Sequence, residues 1–288
     1  MDESESTERH SGMRRLKSIY RKKNIIKKNK TLTFGIVLLC VLVLLSVFVP
    51  FFSPHSYSGQ NALLRNMGSS ALHWFGTDKF GRDIFVRVWY GTRISLIVGL
   101  GSAAICGAAG ILIGSAAGYQ GGMADMILMR AADILDAIPS LLYVILITLT
   151  FGANVGSILT GICISGWTKI ARVVRGEVMR LKNLEFCDAS RLAGAGNVRI
   201  LFRHLLPNAS GQIIVNLVFF VPQAIFTEAF LSFVGVGISA PQASLGTLIS
   251  EARSQMQVYP YQMIYPVMVL CLLILSLNLI GTGLEKRA

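Results

Sequence analysis

The side chains that could support catalysis or bind a metal are few in this 288-residue chain. The four histidines fall in no HExxH motif and show no ligand spacing: His10, His55, His73 and His204. The five cysteines form no CxxC pair: Cys40, Cys106, Cys163, Cys187 and Cys271. The sequence also lacks a GxxxxGK[ST] loop that could hold nucleotide phosphates. We therefore expect no catalytic residue, no metal site and no cofactor bound by this chain.

The chemistry that the sequence favours is protein binding, by the stretch EFCDASRLAGAGNVRILFRHLLPN from Glu185 to Asn208. Phe186, Ala189 and Ala193 share one face of a predicted helix. The small residues of that helix would let the surface of another protein come close. We expect the helix to end at the glycines that follow it, Gly194 and Gly196.

A second helix is predicted to follow, with an apolar stripe at helical spacing formed by Val198, Leu201, Phe202 and Leu205. Arg199 and Arg203 are four residues apart and share another face. Pro207 should stop this helix, because the residue before a proline avoids the helical region. The stretch should therefore be an exposed helix, a glycine break and an anchoring helix. A basic loop that only sets membrane topology is the alternative.

Composition places this stretch in a membrane protein. Hydrophobic residues make up 53% of the chain and charged residues 15%, whereas soluble domains carry about 25% charged residues. The net charge of +12 is concentrated between long apolar runs. It therefore indicates membrane topology and contact with lipid rather than nucleic-acid binding.

We predict an all-α membrane protein with six transmembrane helices, formed by the apolar runs Leu32–Phe52, Ile94–Gly118, Met126–Phe151, Val155–Thr168, Ile213–Val236 and Ile264–Gly283. Basic residues before the first run and in the 169–209 loop favour cytoplasmic termini, N-in and C-in, although the external 53–93 segment is also basic. In the second run, small residues recur every four positions and would allow close helix packing: Gly110, Gly114 and Gly118.

These boundaries divide the chain into three parts. Residues 1–30 form a basic cytoplasmic segment, and residues 31–93 form the first transmembrane helix with its external segment. Residues 94–284 form the main transmembrane domain, which contains a cytoplasmic loop at 173–209.

Polar residues and prolines inside the apolar runs are candidates for a path through the membrane, because charged groups are costly there. Glu228 could line or gate such a path near the kinking residue Pro222, or it could be a buried glutamate that pairs with a neighbouring helix. Pro139 is expected to kink the third run. An ion-pair cluster is expected near the cytosolic end of that run, formed by Arg130, Asp133 and Asp136.

Three separated blocks resemble one family. The triplet Asp188-Ala189-Ser190, Gly194 and the final Leu206-Pro207 resemble the EAA motif of bacterial ABC-importer permeases, with Asp for Glu, Ser for the second Ala and His204 at a commonly apolar position. The blocks FGTDKFGRDIFVRVWYGTRISL (75–96) and AIFTEAFLSFVGVGISAP (224–241) resemble the C-type permease subunits of dipeptide, oligopeptide and nickel importers. The resemblance covers about residues 30–285.

The resemblance implies a type I ABC-importer permease fold in a bacterial cytoplasmic membrane. It implies a second, unlike permease subunit, two ATPase subunits that hold ATP and Mg²⁺, and an external substrate-binding protein. Di- or oligopeptides are the expected substrate, and nickel, metal chelates or another small solute are alternatives. The residues expected to couple to the ATPase are Glu185, Asp188, Ala189, Ser190, Gly194, Arg199, Arg203, Leu206 and Pro207.

Outside the membrane, three charged residues could contact the binding protein or the substrate: Asp78, Arg82 and Asp83. Asp78 could instead cap a helix that lies along the membrane surface. Such a helix would place several aromatic residues in the interfacial layer: Phe80, Phe85, Trp89 and Tyr90.

Two other functional classes are possible. An ion-coupled secondary transporter is expected to show internal repeats with paired broken helices, and no convincing repeat is present. A membrane-embedded hydrolase needs a nucleophile beside a base, and the serines of the apolar runs have no histidine near them in sequence.

Overall fold

The computed structural model describes residues 30–239 and 242–286, so the basic segment before Lys30 lies outside the described residues. The α-helices are α1 (Lys30–Phe52), α2 (Ile84–Gln120), α3 (Gly122–Asp136), α4 (Ser140–Phe151), α5 (Val155–Lys182), α6 (Glu185–Leu192), α7 (Asn197–Ile200), α8 (Leu206–Val234), α9 (Leu245–Arg253) and α10 (Tyr261–Glu285). A 3₁₀ turn spans Ala62–Leu64, and a π-helical turn spans Leu201–Leu205.

The first and last long helices pack against each other in opposite directions. A Cβ on Gly35, near the start of α1, would lie 2.9 Å from the Cβ of Leu279, near the end of α10. On the outer side of α1, large apolar side chains remain exposed: Phe34, Val37, Val41, Leu44, Phe48 and Phe51. A helix that is apolar on every face is suited to a lipid environment.

The glycine spacing of α2 does bring two helices close, as predicted. A Cβ on Gly110 would lie 2.7 Å from the Cβ of Ile170, and one on Gly118 would lie 2.8 Å from the carbonyl oxygen of Arg175. Ile170 and Arg175 both belong to α5. Because these glycines carry no side chain, α2 and α5 approach each other closely, and the two helices form much of the core.

The start of the second span was predicted too late. The helix begins at Ile84, because the Asp83 carboxylate caps it by accepting a hydrogen bond from the backbone N–H of Val86 at 2.8 Å. Asp78 is therefore not the cap. A separate surface helix is also wrong, since Phe85, Trp89 and Tyr90 belong to the first turns of α2 itself.

The predicted third span is broken rather than kinked. Helices α3 and α4 meet at 71° across a gap that ends at Pro139. Proline has no N–H to continue the ladder and disfavours a helical conformation in the residue before it, so the chain turns at this point.

Within residues 30–239 and 242–286, four helices are long and apolar enough to cross a membrane: α1, α2, the continuous helix Asn197–Val234, and α10. The bent pair α3–α4 would add a fifth. The predicted fourth span, Val155–Thr168, is the apolar first half of α5, whose second half carries basic residues. The chain is thus an all-helical, multi-pass membrane protein.

Candidate coupling segment and membrane cavity

The exposed helix predicted from the sequence is α6. It begins with Glu185, whose negative charge is favourable near a helix N-terminus. The Asp188 carboxylate accepts a hydrogen bond from Arg191 at 2.8 Å, and the Ser190 hydroxyl donates to the carbonyl of Phe186 at 2.8 Å. These bonds occupy the polar side chains within the helix.

One buried side chain anchors α6 to the membrane helices. Cys187 is fully buried in a hydrophobic cluster with Val174, Val178 and Leu181 of α5. Burial raises the pKa of the Cys187 thiol above its usual value, so the group stays a neutral, apolar thiol at physiological pH. The helix is therefore held along one side and open on the others.

The open side carries the small residues of the motif. Ala189 and Ala193 are exposed, and Ser190 is half-buried. Leu192 is 91% exposed, an unusual position for a leucine unless another surface covers it. The open face therefore combines small side chains with one exposed leucine.

Gly194 makes the turn that ends this helix. Its φ is +80°, a conformation that L side chains rarely adopt, while a Cβ at this position would meet no atom within 4 Å. The turn is closed by a hydrogen bond from the backbone N–H of Ala195 to the carbonyl of Ser190 at 3.0 Å. Gly196 has an ordinary φ of −67° and precedes α7. Of the two residues, only Gly194 has a backbone conformation that favours glycine.

The predicted apolar stripe of the second helix was partly wrong. Val198 and Phe202 are exposed, whereas Ile200 and Leu205 are buried in the α5 cluster. The reason is the π-helical turn Leu201–Leu205, in which residues five apart stack instead of those three or four apart. Sequence periodicity of 3.6 residues assigns the wrong face in such a turn.

The prediction that Pro207 stops the helix was wrong. It lies in the first turn of α8, and the chain is one helix from Asn197 to Val234. The missing N–H of the proline leaves a carbonyl of the preceding turn without its helical partner, and the regular α-helical hydrogen bonding is interrupted there by the π-helical turn Leu201–Leu205. The exposed side chains of Arg199 and Arg203 thus stand on the end of a membrane-crossing helix.

A groove of about 680 Å³ separates the coupling segment, residues 185–207, from the end of α2. Two hydrogen bonds cross its edge. The Tyr119 hydroxyl donates to Asn197 Oδ1 at 2.8 Å, and Lys182 Nζ donates to the carbonyl of Tyr119 at 2.6 Å. The first bond ties the segment to α2, and the second ties the end of α5 to α2.

A cavity of about 360 Å³ lies beside the broken helix. Its lining comes from the α3–α4 break and from the facing sides of α5 and α8, and the polar members are Asp136, Ser140, Ser165, Lys169, Gln223 and Thr227. Asp136 accepts hydrogen bonds from Thr168 at 2.8 Å and from Arg172. The cavity therefore contains both a carboxylate and an ammonium group.

The predicted ion-pair cluster exists, but its main cation comes from α5. Arg172 donates to Asp133 at 3.0 Å and pairs with Asp136, which joins α3 to α5. Arg130 is more weakly placed, 3.8 Å from Asp133 and largely exposed.

Glu228 is fully buried and its carboxylate is hydrogen-bonded on both oxygens. The hydroxyls of Ser95 on α2 and Ser232 on α8 donate to it at 2.9 and 2.8 Å. Ser244, the N-cap of α9, donates to Ser232 at 3.3 Å. The glutamate thus joins three helices, while its neighbour Thr227 lines the cavity. Pro222 is also buried in α8, which continues through it.

The predicted external residues form a buried ionic network. Arg82 donates to Asp78 at 2.6 Å and to Glu251 at 2.6 Å, and Arg87 donates to the same Glu251 oxygen at 2.9 Å. Asp83, the cap of α2, is also buried. The network fastens α2, and the loop that precedes it, to α9.

Two family models match parts of this chain. A family model described as "binding-protein-dependent transport system inner membrane component" matches residues 110–288. The chain belongs to this family. A second model, described as the N-terminal TM domain of oligopeptide transport permease C, matches residues 24–68.

Named relatives are permeases. The oligopeptide transport system permease protein OppC of Bacillus subtilis is 43% identical over 90% of this chain and 85% of its own length. The dipeptide transport system permease protein DppC of the same organism is 42% identical over 90% of this chain and 82% of its own. A solved amino acid ABC transporter chain, 16% identical with a TM-score of 0.48 over 68% of this chain and 95% of its own, is too distant to bear on the fold.

As a permease of this family, the chain is a multi-pass protein of the bacterial inner membrane. Sequence reasoning missed several residues that organise it, above all Arg87, Glu251 and the Tyr119–Asn197 pair. Arg87 and Glu251 are 164 positions apart, so nothing local in the sequence indicates that they meet. A buried arginine among aromatic residues of an apolar helix is the signal that could have been followed.

Proposed function

We propose that this permease is one half of the translocation path of an ATP-driven importer. Two ATPase subunits hold ATP and Mg²⁺, a second, unlike permease subunit completes the path, and an external binding protein delivers the substrate. ATP hydrolysis is assigned to those ATPase subunits and not to this chain. The observation that carries the proposal is α6, a short helix with an open small-residue face at the end of a membrane-crossing helix.

Coupling requires that the contacts of α6 differ between two states of the ATPase, otherwise hydrolysis could shift nothing. Moving a two-state equilibrium from 1:99 to 99:1 takes about 5.5 kcal/mol. The exposed Leu192 and the arginines at 199 and 203 offer apolar contact and charge pairs for this purpose. The contacts to α5 and α8 would then carry the motion inward.

We further propose six transmembrane segments with both termini in the cytoplasm. The bent pair α3–α4 counts as one span and α5 as another, with the basic half of α5 reaching into the cytoplasm beside α6. The domain limits 31–93 and 94–284 and the cytoplasmic loop 173–209 follow from this topology, with the second span beginning at Ile84.

Di- or oligopeptides are the substrate that we propose. A peptide carries an ammonium group and a carboxylate, and the cavity beside α4 presents Asp136 and Lys169 as groups of opposite charge. Gln223 and Thr227 could exchange hydrogen bonds with peptide groups. Nickel or metal chelates remain a second candidate cargo, because the resemblance in sequence extends to those importers.

We assign the path residues and the external residues different supporting parts. Glu228 and Pro222 are buried in α8 and would hold the wall of the path, while their neighbours on the same helix contact the substrate. Asp78, Arg82 and Asp83 would stiffen the external segment. The binding protein would then rest on exposed apolar residues of that segment, such as Leu72 and Trp74.

The test is uptake of a labelled dipeptide into vesicles that contain the whole transporter and its binding protein. We expect uptake with ATP and none with a nonhydrolysable analogue. Uptake driven by an ion gradient without ATP would overturn the proposal in favour of a secondary transporter. Competition with unlabelled dipeptide and with a nickel chelate distinguishes the two cargo classes.

A pair of variants tests the cavity. Lys169→Gln should weaken dipeptide uptake by removing the ammonium group, whereas Lys79→Gln removes a lysine from the external segment and should leave the cavity intact. Equal uptake by both variants would mean that the cavity does not contact the substrate.

A further inference from the structure

The external segment between α1 and α2 brings together two histidines and an aspartate from distant positions. One potential ligand atom from each of His55, His73 and Asp83 lies within 4.8 Å of the others. The imidazole centroids are 4.7 Å apart, with an angle of 33° between the rings. Two imidazoles and one carboxylate are a donor set that suits Zn²⁺ and related divalent transition metals.

The arrangement is held in place before any ligand arrives. His73 Nδ1 is 2.7 Å from Asp83 Oδ2, while the other Asp83 oxygen caps α2 through Val86. The backbone N–H of His73 donates to Ser70 Oγ at 3.1 Å. His73 and Asp83 are only 6% and 5% exposed. These restraints fix the orientation of the His73 ring.

His55 brings the second imidazole beside the buried His73–Asp83 pair, with the two rings tilted by 33°. His55 is half-buried, so its side of the cluster remains open to entry.

We propose that His55, His73 and Asp83 form a site for a divalent transition metal on the external face of this permease. The metal would lie between His73 Nδ1 and Asp83 Oδ2, which are 2.7 Å apart, with a nitrogen of His55 as the third ligand. Ligands of a tetrahedral zinc site with bonds of ~2.0 Å are about 3.3 Å apart, and the three ligand atoms already lie within 4.8 Å of one another, so metal binding requires shifts of no more than about 1.5 Å. Water or an external group fills the remaining positions. The metal would fasten the segment after α1 to the start of α2.

The site is independent of the cargo, because it lies on the external segment and not at the cavity. Its sequence spacing of 18 and 10 residues gives no recognisable metal motif, which is why sequence reasoning excluded a metal. The fold supplies the proximity that the sequence lacks.

The test is Zn²⁺ binding to the whole transporter, purified without a histidine tag and stripped with a chelator. We expect the complex to bind one more Zn²⁺ per copy of this chain than the same complex with His55→Gln. Asp83→Asn keeps a good capping side chain for α2 but should weaken binding about 10- to 100-fold. Co²⁺ in place of Zn²⁺ should give a visible absorption band that His55→Gln removes.

His204→Gln is the matched control, because it removes a histidine from the coupling segment and should bind Zn²⁺ like the parent. Assembly of each variant with its ATPase subunits is checked by gel filtration, and His55, being half-buried, can be changed with little effect on folding. Equal zinc stoichiometry and affinity in the parent, His55→Gln and Asp83→Asn would overturn the proposal. So would a parent complex that binds no zinc at micromolar concentration.

Discussion

The turn at Gly194 allows the proposed coupling role to be tested with one added methyl group. Gly194→Ala forces an L side chain into a φ of +80°, while nothing within 4 Å obstructs the new Cβ. The cost is therefore conformational rather than steric, about 1–2 kcal/mol for a left-handed residue. This conformational cost destabilises the turn that ends α6. The same turn sets the direction in which the small-residue face of α6 points.

A penalty of 1–2 kcal/mol changes an equilibrium constant by about 5- to 30-fold. If the ATPase grips α6 in the conformation described, binding of the ATPase subunit to permease in lipid nanodiscs should weaken by that factor. The number of substrate molecules imported per ATP should fall with it. Gly194→Asn should be milder, because asparagine tolerates the left-handed region better than alanine.

Gly196 provides the matched control. It is two residues away, is equally free of neighbours and has an ordinary φ of −67°. Gly196→Ala should therefore bind the ATPase like the parent. The reasoning is refuted if the two alanine variants behave alike, whether both bind normally or both fail.

Three further predictions concern single side chains. Glu228→Ala should lower the thermal stability of the complex, because the hydroxyls of Ser95 and Ser232 lose their acceptor at a cost of about 1–3 kcal/mol each. Glu228→Gln keeps one acceptor oxygen and should lower the stability less. Normal transport by a stably expressed Glu228→Gln variant would count against a role of Glu228 as a gate. Cys187 should react slowly with maleimide at pH 7, since burial raises its thiol pKa. A cysteine introduced by Leu192→Cys should react rapidly. Equal labelling of the two cysteines, measured by mass spectrometry, would show that α6 is not anchored as described. Gly110→Leu should prevent stable assembly, because the Cβ alone would lie 2.7 Å from Ile170; normal yield in gel filtration would contradict the close packing of α2 on α5.

The sequence predicts well where local chemistry decides the structure. The glycines of α2 announce a close helix contact because small residues at four-residue spacing have few other uses in an apolar helix. The small residues of α6 and the turn at Gly194 are local in the same sense. Their geometry follows from a few adjacent residues.

Other features depend on contacts that no local pattern records. The start of α2 cannot be predicted from the apolar run, because the charge of Arg87 interrupts that run and its partner Glu251 lies 164 positions away. Ile200 is buried only because the helix widens between Leu201 and Leu205. The histidines at 55 and 73 meet only when the external segment folds back on α2.

The helix continues through Pro207, so its two ends can move together as one rigid body. From Leu206 to Gln223 the helix rises by about 25 Å, so a tilt of about 10° at the Leu206 end would displace the cavity wall by about 4 Å. A loop at this position would absorb such a movement. A continuous helix converts a small tilt at its Leu206 end into a displacement of the cavity wall as large as a peptide side chain.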